Sequence, residues 1–359
     1  MVAASFRVNL PSGWQGLCLR NEYLEVTLVP ERGGQIQQIT ARRQEAREVD
    51  LLWQAPWPHR PPPVAPLPPG ADSQAVWMDN YTGGWQVLFP NAGGACNVNG
   101  APHTFHGEAS VVPWQCEVVE RAPGVPEVRL VVRLARTPFR LERRVWLEAD
   151  RPVLRIQERV INEGAQAQPF MWGHHPAFGA PFLQAGCRLD VPARTFLAGD
   201  SQVSQSAWVA PGVRSQWPHV ARIERAGGGT VDLSVVPGPE AHTDNFGFLL
   251  DLQEGWYALS NDASGTGFGL VWPLDVFPCV WLWQELGGTQ GYPWWGNTYV
   301  MGVEPHSSST ADGLATAIER GTARTLAPGE HLEAELTAVL FEPRGRVRKV
   351  SQTGEVTFG

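Results

Sequence analysis

Short runs of alternating apolar and polar residues organise most of this chain. Between residues 22 and 29, Leu24, Val26 and Leu28 alternate with Tyr23, Glu25 and Thr27, the two-residue period of a half-buried strand. Pro30-Glu31-Arg32-Gly33-Gly34 then makes a turn, and residues 35–39 form the returning strand. The clearest strands lie between residues 128 and 161. There Val128, Leu130, Val132 and Leu134 alternate, as do Phe139 and Leu141, Val145 and Leu147, and Leu154 and Ile156 with Val160 in phase. Thr137-Pro138 and Ala149-Asp150-Arg151-Pro152 are the turns between them, and arginines and glutamates fill the alternate positions. That spacing predicts antiparallel strands with one wet and one packed face. Shorter strands follow at 187–191, 231–235, 255–260, 267–273, 280–284, 299–307 and 332–341. Only residues 311–320 read as helix, stopped by Gly321. There are no heptads and no repeat of fixed period. The class is all-β.

Residues 56–70 are dense in proline. They read as an exposed loop and not as a linker, because strand patterning continues on both sides. One domain over residues 1–343 is therefore expected, followed by a tail, 344–359, that is basic, then polar, and peripheral.

Composition narrows the class of function. With 43% apolar residues, the 359-residue chain can bury a full core. A formal net charge of −8, with no basic run, argues against nucleic acid as a partner. Lys349, in the tail, is the one lysine, which disfavours chemistry that needs a buried amine. The five cysteines are scattered without metal spacing, so no metal site is expected. No leader pattern or membrane-length apolar run is evident, and the expected setting is cytoplasmic, without membrane attachment. Gly93-Gly94 is not followed by the lysine of a phosphate loop.

The chemistry centres on Met171-Trp172-Gly173-His174-His175-Pro176. Pro176 biases His175 toward extended backbone, and in an extended segment neighbouring side chains point to opposite faces. At most one of the two histidines then faces a given cleft, where an imidazole is a natural proton donor or acceptor. A pair of structural histidines at a strand end is the plain alternative.

Four segments in order make the chain resemble the aldose 1-epimerase (galactose mutarotase-like) family, as a divergent branch. These are His106-Gly107-Glu108, His175-Pro176-Ala177-Phe178-Gly179, Asp244-Asn245-Phe246 and Gly302-Val303-Glu304-Pro305. The resemblance spans roughly residues 22–341. It implies a large antiparallel β-sandwich, a supersandwich, with a sugar site in an open cleft and no cofactor. It also implies interconversion of the α and β anomers of a free sugar by ring opening. Glu304 would be the base on the anomeric hydroxyl and His175 the acid on the ring oxygen. On physical grounds a carboxylate and an imidazole are the natural pair for ring opening if held a sugar's width apart. His106 would bond the sugar near its ring oxygen, and Asp244 would accept from hydroxyls further round the ring. The partner is thus a small-molecule sugar, and the protein a monomer or homodimer.

The chain departs from the family pattern before its first histidine. The usual arginine is missing from Gly84-Trp85-Gln86-Val87-Leu88-Phe89-Pro90-Asn91, which leaves Gln86 and Asn91 as the polar ligands there. His174 replaces a usual asparagine and is grouped with the binding residues, although a structural role is its simplest reading, as it is for His306. Trp85 and Trp172, beside the expected site in sequence, are the candidate stacking rings, with core packing as their alternative. Three other functions fit the same pieces. A sugar-binding module would need no acid and base. A sugar-phosphate mutarotase would want arginines such as Arg32 at the cleft. A glycan-cleaving enzyme would want a second carboxylate, Asp244 or Glu108.

Overall fold

In the computed structural model, residues 3–11, 13–42, 48–61, 72–200 and 204–359 are described. Two antiparallel sheets face one another. The path of the larger, twelve-stranded sheet runs Ala4–Asn9, Gln15–Arg20, Leu24–Val29, Gln35–Ala41, Trp85–Leu88, Gly173–Gly179, Tyr299–His306, Cys279–Leu286, Thr243–Leu250, Thr195–Ala198 and Arg214–Gln216, with Val49–Asp50 paired to Gln35–Ala41. The second, of eight strands, runs Arg188–Asp190, Trp256–Asn261, Thr266–Val271, His331–Phe341, Val153–Asn162, Phe139–Leu147, Val125–Arg133 and Gln115–Ala122. Both supply one continuous core: Leu19, Val26, Val87 and Met301 from the first meet Leu130, Val145, Ile156 and Leu336 from the second. This is the expected all-β sandwich.

The outer strands keep the alternation that makes them legible, as in Phe139–Leu147 and Leu24–Val29. The central strands of the large sheet do not. All seven residues of Gly173–Gly179 are buried, and so are seven of the eight in Cys279–Leu286. A second apolar layer covers their outer face, so both faces are dry and period two is lost. One part gathers Trp53, Trp77, Tyr81, Phe105, Ala177 and Val300; the other gathers Leu88, Met171, Trp281, Ala311 and Leu314. The pocket described below lies where these two parts meet.

Several expectations need correction. Helix Ser73–Asn80 was not expected, and most of the proline-dense loop, residues 62–71, lies outside the described residues. Asp72 caps the helix, its carboxylate accepting from the Gln74 N–H. Trp77 is its one buried residue, so its sequence carries no apolar stripe to read. The second helix is shorter than expected, Leu314–Glu319. Strands Ala4–Asn9 and Gln15–Arg20 were not anticipated. The tail is not peripheral either. It pairs as a hairpin, Val347–Val350 with Val356–Phe358. Its buried Val347 and Val350 pack with Val153, Trp256 and Val339 on the outer face of the eight-stranded sheet.

A buried ion network ties the two sheets together directly behind the site. Arg143 and Glu158 are opposite each other on adjacent strands, Nε to Oε1 3.0 Å, both nearly inaccessible. From the larger sheet, His174 Nε2 stands 3.3 Å from Glu158 Oε2, and Arg143 Nη1 donates to the Gly34 carbonyl at 2.9 Å. Burial pushes the Glu158 carboxyl up, but His174 and Arg143 together hold it below the usual carboxylate range. Removing one member strands the others in a low-dielectric core. Glu158→Ala should lower unfolding stability by about 3–5 kcal/mol in chemical denaturation. A loss under about 1 kcal/mol, the range of an exposed pair, would show that the network does not clamp the sheets.

Candidate active site

The site is set by the pairing of two strands. Gly173 pairs with His306 and Ala177 with Gly302, and the same register puts His175 opposite Glu304. In Gly173–Gly179, Gly173, His175 and Ala177 point outward, while His174 and Phe178 point into the core. In Tyr299–His306 the outward residues are Val300, Gly302, Glu304 and His306, and Met301 and Val303 face the core. His175 Nε2 lies 3.6 Å from Glu304 Oε1. The pair is therefore in direct ion-pair range, not a sugar's width apart as expected. The two oxygens to be served in ring opening share one carbon, so adjacent groups suffice.

Above this pair opens a cavity of about 550 Å³, within the range of small-molecule sites. Trp77, Tyr81 and Phe105 form one wall, and Trp283 and Trp294 another. The walls touch the chemistry. Trp77 stacks on Tyr81 at 4.5 Å, and Tyr81 and Trp283 lie 5.7 and 5.8 Å from the His175 ring. At the far end Asp244 and Glu285 face one another on paired strands, and the Thr289 hydroxyl contacts both carboxylates. Glu285 also accepts from the Gly288 and Thr289 N–H groups, 2.9 and 3.1 Å. Burial raises its pKa, and Asp244 adds to the rise.

His106 enters from a loop. It has φ +58, and Gly107 beside it, at φ +79, packs so tightly on the Phe89 and Asn91 carbonyls that a side chain there would collide with them. The His106 N–H donates to the Gly93 carbonyl, and the Gly93 N–H donates back to His106 Nδ1 at 3.1 Å. With Nδ1 occupied as an acceptor, the neutral ring carries its proton on Nε2 and is a fixed donor. Its ring centre is 5.4 Å from that of His175.

Burial dominates the titration of these groups. It pushes Glu304 well above the usual carboxylate range. It also lowers His175 to about 4. His106 falls well below its ordinary value through burial, with His175 and His306 adding to the fall. Burial therefore holds these two histidines neutral, and Glu304 binds a proton readily.

Of the residues named from the sequence, Glu304, His175, His106 and Asp244 come together around this cavity. The others do not reach it. Trp85 and Trp172 are fully buried between the sheets; Trp85 Nε1 donates to His174 Nδ1 at 3.2 Å, and Trp172 packs edge-on against Phe277. His174 belongs to the ion network behind the site. Gln86 pairs with His175 across the strands, but its amide donates to the Gly83 carbonyl and to Gln35, under a layer of buried glutamines. The Asn91 amide is used up on the Gly94 and Thr104 carbonyls and the Leu314 N–H, so it shapes the His106 loop and is no ligand. Glu108 accepts from the Ala135 and Arg136 N–H groups, away from the cavity. Arg32 lies over Trp14, and among the described residues no lysine or arginine lines the cavity. Trp77, Tyr81, Trp283 and Glu285 were missed. The one available signal was the Asp244–Glu285 strand pairing, which needs the register to be seen.

An antiparallel supersandwich with its cleft over the centre of one sheet is the galactose mutarotase-like fold, and solved structures bear this out. A Klebsiella pneumoniae protein named as a candidate aldose 1-epimerase aligns at 17% identity and TM-score 0.66, over 92% of this chain and 80% of that one. A galactose mutarotase-like protein of Clostridium acetobutylicum aligns at 14% identity and TM-score 0.63, over 95% and 99%. A galactose mutarotase related enzyme of Lactobacillus acidophilus aligns at 15% and 0.59, over 94% and 98%. By sequence, the chain belongs to DUF4432, a domain family of unknown function whose model matches residues 12–340. No curated protein matches it in sequence. Among the described residues, no helix is long and apolar enough to cross a membrane.

The buried pair makes a pH-dependent prediction about stability. Glu304 holds its proton more tightly folded than unfolded, so its favourable contribution is complete below the unfolded value and is lost as pH rises through the folded one. Glu304→Gln should therefore raise Tm at pH 8 and change it little at pH 4. His175 runs the other way. Folded it titrates near 4 against 6.5 unfolded, so its contribution is complete above 6.5 and is lost as pH falls toward 4. His175→Gln should flatten the loss of Tm between pH 6.5 and 4. Calorimetry across pH checks both; equal shifts at every pH would contradict them.

Proposed function

We propose that this protein is an aldose 1-epimerase acting on an unphosphorylated reducing sugar. One observation carries the reading: a buried carboxylate and a buried imidazole, 3.6 Å apart, on the floor of an aromatic-walled cavity of sugar size. Binding alone would not call for this pair, because burying a carboxyl group away from a cation costs stability. The likeness to mutarotase-like structures supports the fold on which such a site would stand.

In the proposed reaction, Glu304 takes the proton from the anomeric hydroxyl. The carbonyl forms as the bond from the anomeric carbon to the ring oxygen breaks, and that oxygen takes the proton on His175. Rotation about the bond next to the carbonyl, then closure with both transfers reversed, gives the other anomer. Protons and charges balance, and both groups return to their starting states. The active form has its proton on His175 and Glu304 ionised; with the two in direct range they titrate as a pair, giving a bell-shaped rate profile. His106, fixed as an Nε2 donor, bonds the sugar beside the ring oxygen, Asp244 takes hydroxyl protons at the far end, and Trp283 and Trp77 offer faces for the sugar's apolar C–H groups. The absence of a cation among the described lining residues favours a free aldose over its phosphate ester.

Anomer exchange measured by saturation-transfer NMR over a panel of free aldoses tests this. At least one sugar should exchange faster than in buffer, and Glu304→Gln and His175→Asn should each slow it by roughly 10²-fold or more, the usual worth of a positioned acid or base. The phosphate ester of that sugar should be disfavoured about tenfold or more, corresponding to ~1.4 kcal/mol of charge repulsion. Binding of a sugar without any acceleration would instead establish a carbohydrate-binding protein.

A further inference from the structure

The proposed proton transfers leave one neighbour of Glu304 unused. His306 is two residues further along the same strand, so its side chain leaves the same face of the sheet. It is fully buried, and its ring lies flat on Trp281, centroids 3.8 Å apart at 10°. Trp281 is itself fixed by donating from Nε1 to the Ser308 carbonyl at 2.7 Å. Two glycines make the room. A Cβ at Gly173, the register partner of His306, would overlap the His306 ring, and one at Gly302 would meet Oε1 of Glu304.

So pinned, the ring sets Nε2 3.5 Å from Glu304 Oε2, while His175 Nε2 stands 3.6 Å from Oε1. Packing gives no reason for an imidazole here. A phenyl ring would fill the slot and stack on Trp281 without burying two ring nitrogens that make no hydrogen bond, as both of His306 do. Glu304 Oε2 is unpartnered as well. Catalytic hydrogen bonds are often longer than ideal before substrate binds and tighten in the complex.

We propose that His306 is a positioning residue: through Nε2–H it holds Oε2 of Glu304, fixes the rotation of the carboxylate so that Oε1 faces His175 and the cavity, and favours the ionised form that a base requires. The inference rests on Glu304 being the base. The other titratable groups facing this pair are His175 and His174 on the neighbouring strand, His106 on its loop, Tyr81, Tyr257 and Cys279. Burial raises the two tyrosines and the cysteine, and Glu304 adds to the rise of both tyrosines, so these groups stay protonated through neutral pH. A change seen there at the Glu304 carboxyl is therefore not the ionisation of either tyrosine or of the cysteine.

The test compares wild type with His306→Phe, which keeps the ring and removes the donor, and with His306→Gln, which keeps an N–H. Two quantities are followed against pH: kcat/KM for anomer exchange, and the 13C shift of the Glu304 carboxyl, assigned by its loss in Glu304→Gln and needing no turnover. In the Phe variant, the acid limb and the carboxyl titration should both move to higher pH by about one unit or more, a tenfold loss at a fixed pH on that limb. The Gln variant should recover most of the shift. A carboxyl titration unmoved by His306→Phe, with the rate lowered equally at all pH, would reduce His306 to packing and overturn the proposal. If wild type exchanges no sugar, the catalytic reading fails by itself, and an unmoved carboxyl would still overturn the part given to His306. Should the Phe variant not fold, His306→Met, equally unable to donate, takes its place.

Discussion

Everything in this molecule's candidate site depends on the antiparallel register between Gly173–Gly179 and Tyr299–His306. A slip of one residue would turn His175 into the core and bring His174 outward, because side chains alternate along a strand. The register is held from behind. His174, facing inward, joins Arg143 and Glu158 of the other sheet, so the strand that presents His175 is bonded through its neighbour to the opposite layer. Two adjacent histidines thus divide the work: one anchors the strand and the other faces the cavity.

The front of the sheet is organised by exclusion of water. The outer aromatic layer buries the outward face of the central strands, and that same burial sets the protonation of Glu304 and His175. Carboxylate and imidazole shift in opposite directions because the low dielectric penalises the charged form of each. Both shifts favour the uncharged pair, with the proton on Glu304, and the proposed reaction would draw on the ionised form of that pair. The glycines at 173 and 302 are part of this device, since each vacates space that a side chain of the site occupies.

Much of the fold could be read from the sequence because the outer strands, such as Phe139–Leu147, keep one wet face and so keep alternation. The central strands lost that signal to the second apolar layer, and helix Ser73–Asn80 was invisible because it buries only Trp77. At the site, Glu304 and His175 were legible as strand residues in family order. Trp172 was misjudged against a signal that was present: it shares parity with His174 and so lies on the face opposite His175. Trp85 and Gln86 needed the pairing of Trp85 with Pro176 and of Gln86 with His175 to be placed, and pairing is not written in either strand alone. The walls of the cavity come from four distant segments around Trp77, Phe105, Trp283 and Trp294, and no local pattern brings those together.

In the proposed reaction one sugar carbon sits over the Glu304–His175 pair with its two oxygens divided between them. The most direct measurement is a crystal structure of the Glu304→Gln protein with a reducing aldose bound. The anomeric hydroxyl should lie within about 2.6–3.2 Å of the residue 304 side chain and the ring oxygen within the same reach of His175, with the remaining hydroxyls toward Asp244. A sugar bound with its anomeric carbon at the cavity mouth near Trp294, away from both groups, would contradict it.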